Sequence, residues 1–330
     1  MKRRTKRFIP LIVALIVIGL VFVYIRFFNG NLIYLSTGFK SSQVCKVDGE
    51  VTDTMQADIL LADAKKEYQN VFGDDVWNQT MDGVNFDDYV KDQVRTKLIR
   101  VRCMNLLAKE RGVVLSRSQK DNVSDAVDAY MAQLSQDQID KLDITKEKLT
   151  TMFTEFTIAQ TLYTDVTDAL NCEISADDAR VIKIQYICTD NQENITKAKS
   201  ELGGGESFYV VAKRYNTSDE NEIELKRGEM DHAFEEAAFN LKSGETSDIV
   251  SADGKFYIIK CTSDNQKSKT EANKASLLEQ KKLEGFNQTF DAYEASKYVE
   301  FNNKLWKNRK VAKAQELSMS FEDVFDTYLK

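Results

Sequence analysis

Proline and histidine are nearly absent: Pro10 and His232 are the only ones in 330 residues. Everything after residue 10 is therefore proline-free, which excludes polyproline ligands and proline-rich linkers and favours long unbroken helices. With one imidazole, no site can use two histidines, so multi-histidine metal centres are excluded. A Ser-His-Asp arrangement could draw only on His232. Cysteine is scarce as well. Cys45, Cys103, Cys172, Cys188 and Cys261 are odd in number and contain no C-x-x-C. Buried thiols and a bridge stay equally open, and neither metal ligation nor any cofactor is expected. Acidic charge dominates once the amino terminus is set aside. Of 45 basic and 52 acidic residues, the first 30 positions hold six basic and no acidic ones, leaving 39 against 52, a net of −13. A body of that sign lacks the basic footprint that nucleic acid requires.

Apolar residues are not scarce, and one run stands out. Phe8 to Ile25 is eighteen residues without a charge. As a helix it would rise about 27 Å, close to a hydrocarbon core of roughly 30 Å. It ends in the bulky Tyr24-Ile-Arg-Phe-Phe28 rather than a small-residue cleavage site. Residues 1–30 thus read as a basic cytoplasmic stub and single-pass transmembrane anchor, with the bulk outside the cell; a cleaved signal is the alternative. Residues 31–43 read as a spacer.

Beyond it, Val44–Val51 reads as a strand turning at Asp48-Gly49, followed by a helix to about Phe72. Asn85 is placed to cap a helix whose stripe of Phe86, Val90, Val94, Leu98 and Val101 stops near Gly112. Ser116 and Gln119 have capping-box spacing, and a further helix begins near Thr145 and runs towards Leu170. Character changes after Asn171. Arg180–Cys188 is β-branched and aromatic, hence a strand; helices are expected over 194–202, 207–215 and 234–241. Strands are expected over 246–250 and 255–261. This pattern makes residues 178–264 an α+β domain with a small sheet. From Ser268 to Trp306 the chain reads as polar helix, and a last helix covers about Phe321–Leu329. Gly203-Gly-Gly205 reads as a helix-ending turn, His232 as a solvated surface residue, and the acidic run 219–222 as a solvated loop.

The stretch Arg227-Gly-Glu-Met-Asp-His-Ala-Phe-Glu-Glu-Ala-Ala-Phe-Asn-Leu-Lys-Ser-Gly-Glu-Thr-Ser247 resembles the parvulin-type peptidyl-prolyl isomerases. It follows that family's R-G-x-M, F-E-x-A-x-F-x-L and G-E-x-S run. Ser207-Phe208, Tyr215 and Tyr257-Ile-Ile-Lys260 support it. Val47-Asp-Gly-Glu50 and Asn302–Trp306 resemble the two ends of the helical lobe in extracytoplasmic foldases related to trigger factor and SurA. The resemblance implies an α+β parvulin domain (178–264) inserted in a discontinuous helical chaperone lobe (44–177 and 265–330). It implies Met230, Phe234 and Leu225 as the substrate-binding pocket. The family's usual histidines fall at Gln185 (Ile184 if the register slips by one) and Tyr257, and its acidic or cysteine position at Ser218 or Asp219. Prolyl isomerisation breaks no covalent bond, so a site without imidazoles can still act by binding the ring and favouring the twisted amide. The implied function is an isomerase assisting unfolded or partly folded secreted polypeptides, with a degenerate site. The alternative is a non-catalytic holdase that uses the domain as a scaffold.

Overall fold

The computed structural model describes residues 38–81, 83–217 and 221–330. In chain order the elements are strands β1 (Gln43–Val47) and β2 (Glu50–Asp53), helix α1 (Thr54–Phe72), and strands β3 (Thr80–Met81) and β4 (Val84–Asn85). Helices α2 (Phe86–Arg111), α3 (Arg117–Gln133), α4 (Gln136–Leu142) and α5 (Lys146–Asp168) follow. Then come β5 (Ile182–Thr189), α6 (Gln192–Gly203), α7 (Phe208–Tyr215), β6 (Glu222–Leu225), α8 (His232–Asn240), β7 (Val250–Ala252) and β8 (Lys255–Ser263). The chain closes with α9 (Lys267–Ala295), β9 (Val299–Phe301), α10 (Asn303–Lys307) and α11 (Phe321–Leu329). It divides into two compact units: the described residues up to Leu170 together with Gly285–Lys330, and Asn171–Glu284.

The expected starts and stops of the helical unit are set by side chains. Asn85 accepts from the Asp87 amide at 3.1 Å, Ser116 and Gln119 complete a capping box, Thr145 caps α5, and α2 ends on left-handed Gly112. Asp48 and Gly49, both at positive φ, turn β1 into β2. Strand β9 was not expected, since this stretch reads as helix. It pairs antiparallel with β1, Cys45 opposite Phe301 and Val47 opposite Val299, giving the order β2-β1-β9. Its alternation, Val299 and Phe301 buried with Glu300 between, is three residues long. At the other end of the unit, Phe321 of α11 lies 4.5 Å from the Phe153 ring and 4.9 Å from that of Phe156. Late and early residues thus share one core. The two segments also meet where they part: a Cβ at Gly285 would fall 2.4 Å from Leu170 Cδ1.

Asp63 on α1 caps α11, accepting from the amides of Phe321 at 3.1 Å and Glu322 at 3.2 Å. Burial is the main cause that pushes its carboxyl up to about 7, and neighbouring Glu322 adds to it. The native state therefore holds this proton more tightly than the unfolded chain, so its stabilisation is full below about pH 4 and is lost as pH rises through 7. Between pH 4 and 8 that loss is roughly 4 kcal/mol for a shift of about three units. Urea midpoints should fall across this range in the native sequence and fall less in Asp63→Asn. Parallel pH profiles would refute the assignment.

The second unit is a three-layer α+β arrangement. Its sheet runs β6-β5-β8-β7, antiparallel throughout, and β6 is a strand that the sequence reading did not anticipate. One face carries α8, the other α6 and α7. Of the expected strand 246–250, only a single bridge from Thr246 to Lys260 precedes β7. Ser247 bonds with β8 in both directions: its amide donates to the Ile259 carbonyl and its hydroxyl accepts from the Ile259 amide. The unit extends beyond 178–264 at both ends. Val181 donates its amide to Thr270, Asn273 donates to the Ala179 carbonyl, and Lys281 to that of Glu173, so the first turns of α9 belong with it. The apolar run 8–25 lies outside the described residues. Among those described, no helix is long and apolar enough to cross a membrane.

Candidate functional site

Side chains alternate across a strand, so β5 sends Ile182, Ile184, Tyr186 and Cys188 towards α8 and Ile187 towards α6 and α7. Strand β8 does the same, turning Tyr257 and Ile259 to α8 and Ile258 to the other face. Cys188 and Tyr257 are register partners. Burial pushes the Tyr257 phenol up to about 12, and hydrogen bonding to the Cys188 side chain adds to the shift.

Helix α8 supplies the third wall. Gly228, at φ 87°, turns the chain into it, and Asp231 caps it by accepting from the Ala233 amide at 2.9 Å. Glu235 reaches back to the Met230 amide at 2.9 Å, fixing Met230 just ahead of the first turn. Phe234 follows one turn later and is 0% exposed. Its ring meets Tyr257 edge-on at 5.0 Å and Tyr186 at 6.1 Å, and the two tyrosine rings lie 6.2 Å apart. Asn216 ties the end of α7 to this strand, accepting from the Cys188 amide at 2.5 Å and donating to the Tyr186 carbonyl at 3.2 Å.

Four of the seven residues singled out from sequence join one apolar cluster: Met230, Phe234, Leu225 and Tyr257. Leu225 pairs with Ile182 and Tyr257 with Cys188, six residues along β5, or about 20 Å at the usual strand rise. Leu225 therefore closes the far end of the cluster. Gln185 is not brought in. As an odd position of β5 it points away from α8, where its amide donates to Glu222 at 3.0 Å. The one-residue slip considered for it, Ile184, is buried in the apolar cluster. Tyr186, on the same face and in ring contact with Phe234 and Tyr257, was not picked out. The alternation Ile182-Lys-Ile-Gln-Tyr186 is the signal in the sequence that puts it on the inward side. Ser218 and Asp219 lie outside the described residues. His232 is exposed at the start of α8. Chemically the cluster offers an apolar surface, two phenols and a thiol. Its phenols and thiol are hydrogen-bond donors, and the cluster holds no imidazole for proton transfer.

Residues 183–263 match the profile of the rotamases, described as the PPIC-type PPIASE domain, so the chain carries a parvulin-type domain there. Over 225 residues it is 24% identical to the foldase protein PrsA of Caldanaerobacter subterraneus subsp. tengcongensis, covering 66% of this chain and 72% of that one. Over 95 residues it is 35% identical to the foldase protein PrsA of Oceanobacillus iheyensis, covering 27% of this chain and 32% of that one. This second alignment thus spans about a third of the relative. The crystal structure of a peptidylprolyl isomerase (PrsA) from Bacillus cereus aligns over 91% of this chain and 99% of its own at 15% identity, with a TM-score of 0.37.

Proposed function

We propose that this chain, related in sequence to the PrsA foldases and carrying a parvulin-type domain over residues 183–263, is an extracytoplasmic folding factor. Its clients are unfolded or partly folded secreted polypeptides, which the helical unit holds while the inserted unit engages Xaa-Pro segments. A single-pass anchor formed by residues 8–25 would keep it at the membrane, its amino terminus inside. The observation that carries the reading is that Met230 and Phe234 lie with Tyr257 in one apolar cluster within the domain that matches the rotamase profile. The helical unit contributes a mostly apolar groove of about 330 Å³, floored by Leu60, Ala64, Tyr68, Val90 and Val94 and rimmed by Glu67, Lys97 and Arg100.

Catalysis in such a site needs no proton transfer. The barrier of about 18–20 kcal/mol comes from amide resonance. A pocket that grips the ring, strips water from the amide and hydrogen-bonds its carbonyl lowers that barrier by favouring the twisted form. The Tyr257 phenol stays protonated across the physiological range and can donate. A second reading, a holdase whose parvulin domain is a scaffold, is favoured by one specific observation: Phe234 is wholly covered by its own neighbours.

Cis/trans exchange of Ala-Ala-Pro-Phe peptides and aggregation of a urea-unfolded secreted protein separate the readings. The foldase reading expects exchange above the buffer rate that is lost in Phe234→Ala, together with suppressed aggregation. Suppression without exchange selects the holdase, and neither effect refutes both.

A further inference from the structure

We infer that Tyr257 is the lid of the apolar pocket in the inserted unit, and that its ring decides how readily a prolyl side chain enters. The inference builds on the reading of Met230 and Phe234 as a proline pocket, and its test separates the two. Phe234 has no exposed surface at all, so in this conformation no ligand atom can reach its ring. Beneath it the cluster is fixed. Ile184, Ile259 and Ala238 are each 0% exposed and closely packed, so no way in leads from that side.

The removable cover lies on the outer side. Tyr257 is 7% exposed and stands edge-on to Phe234 at 5.0 Å; half-buried Tyr186 stands beside it. Backbone motion is not available to open the site there, because Tyr257 lies inside β8 with β5 paired on one side and β7 on the other. Rotation of the side chain remains. It breaks edge contacts with two rings and one hydrogen bond to Cys188, a thiol and hence a weak partner. A prolyl ring, three methylenes on the backbone, is smaller than a phenol ring. The volume Tyr257 vacates is therefore enough to seat it against Phe234 and Met230. The chain accordingly binds proline only in the conformers with Tyr257 swung out, and its apparent affinity is reduced by their small population.

The test uses the full chain carrying ¹³C-methyl methionine, titrated with Ala-Ala-Pro-Phe peptide while the Met230 methyl signal is followed. Tyr257→Ala should bind at least tenfold more tightly than the native chain. Tyr257→Phe should stay within threefold of it, since the ring and not the hydroxyl closes the pocket. If the alanine chain unfolds, Tyr257→Val, a good strand former, takes its place. Equal affinity of the native and Tyr257→Ala chains overturns the lid and leaves the proline pocket standing. If neither binds peptide, phenol is titrated as a proline-free apolar probe. Uptake at Met230 by Tyr257→Ala alone supports the lid and refutes the proline reading, whereas no uptake overturns the lid.

Discussion

Arg102→Ala is expected to destabilise the helical unit by about 3–5 kcal/mol, the usual cost of leaving one partner of a buried ion pair alone. Arg102 sits on α2 and is 8% exposed. Its guanidinium donates to both carboxylate oxygens of Glu155 on α5, at 2.8 and 3.0 Å, and to the Val51 carbonyl of β2 at 2.8 Å. Gln56 on α1 donates to the same carboxylate at 2.9 Å. Arg102 thereby joins α2, α5 and β2, and Gln56 adds α1 through the same carboxylate. Removing Arg102 leaves the mostly covered Glu155 carboxylate without its cation, held only by Gln56. Urea unfolding measures the loss. The double substitution Arg102→Met with Glu155→Leu should recover at least half of it, because apolar residues of similar volume avoid the desolvation that the pair undergoes. A single substitution costing under 1 kcal/mol would mean that water reaches the pair and that the junction is not buried.

Local signals in the sequence located what local chemistry decides. Asn85, Ser116 with Gln119, Thr145 and Gly112 bound their helices because each meets a backbone group within a few residues of itself. Likewise the Asp48-Gly49 turn was legible, since only a left-handed pair closes so short a hairpin. What escaped is decided at long range. Val299-Glu-Phe301 becomes a strand only because β1, from the other end of the sequence, offers it an edge. Glu222–Leu225 does so because β5 does.

At the candidate site, motif spacing placed Met230 and Phe234 in one apolar cluster. The family's first-strand position falls at Gln185 or at Ile184, and a one-residue change of register turns every side chain of a strand to the opposite face. That one position separates a polar residue hydrogen-bonded to β6 from a side chain buried in the apolar cluster. Nor could sequence say that Phe234 would be covered, which depends on the rings of two strands meeting above it.

The helical unit is one folding body written in two pieces of sequence, and excision of the inserted unit should leave it intact. Leu170 and Gly285 already touch, so a short Gly-Ser linker can join them in place of residues 171–284. Both pieces are indispensable to the core that results. The first supplies Tyr130, Phe153 and Leu149, and the second supplies Phe286, Phe290, Phe301 and Phe321, every one of them at most 2% exposed. A chain ending at Leu170 would leave these faces bare. At about 3–5 kcal/mol per lost buried aromatic, its deficit exceeds the whole stability of an ordinary domain.

Thermal and urea unfolding of the spliced chain, residues 38–170 joined to 285–330, is therefore the most direct measurement. A helical spectrum with one cooperative transition is the predicted result, alongside an unfolded chain when 285–330 is omitted. A spliced chain that lacks a cooperative transition, or a piece ending at Leu170 that folds as stably without its partner, would contradict the discontinuous lobe.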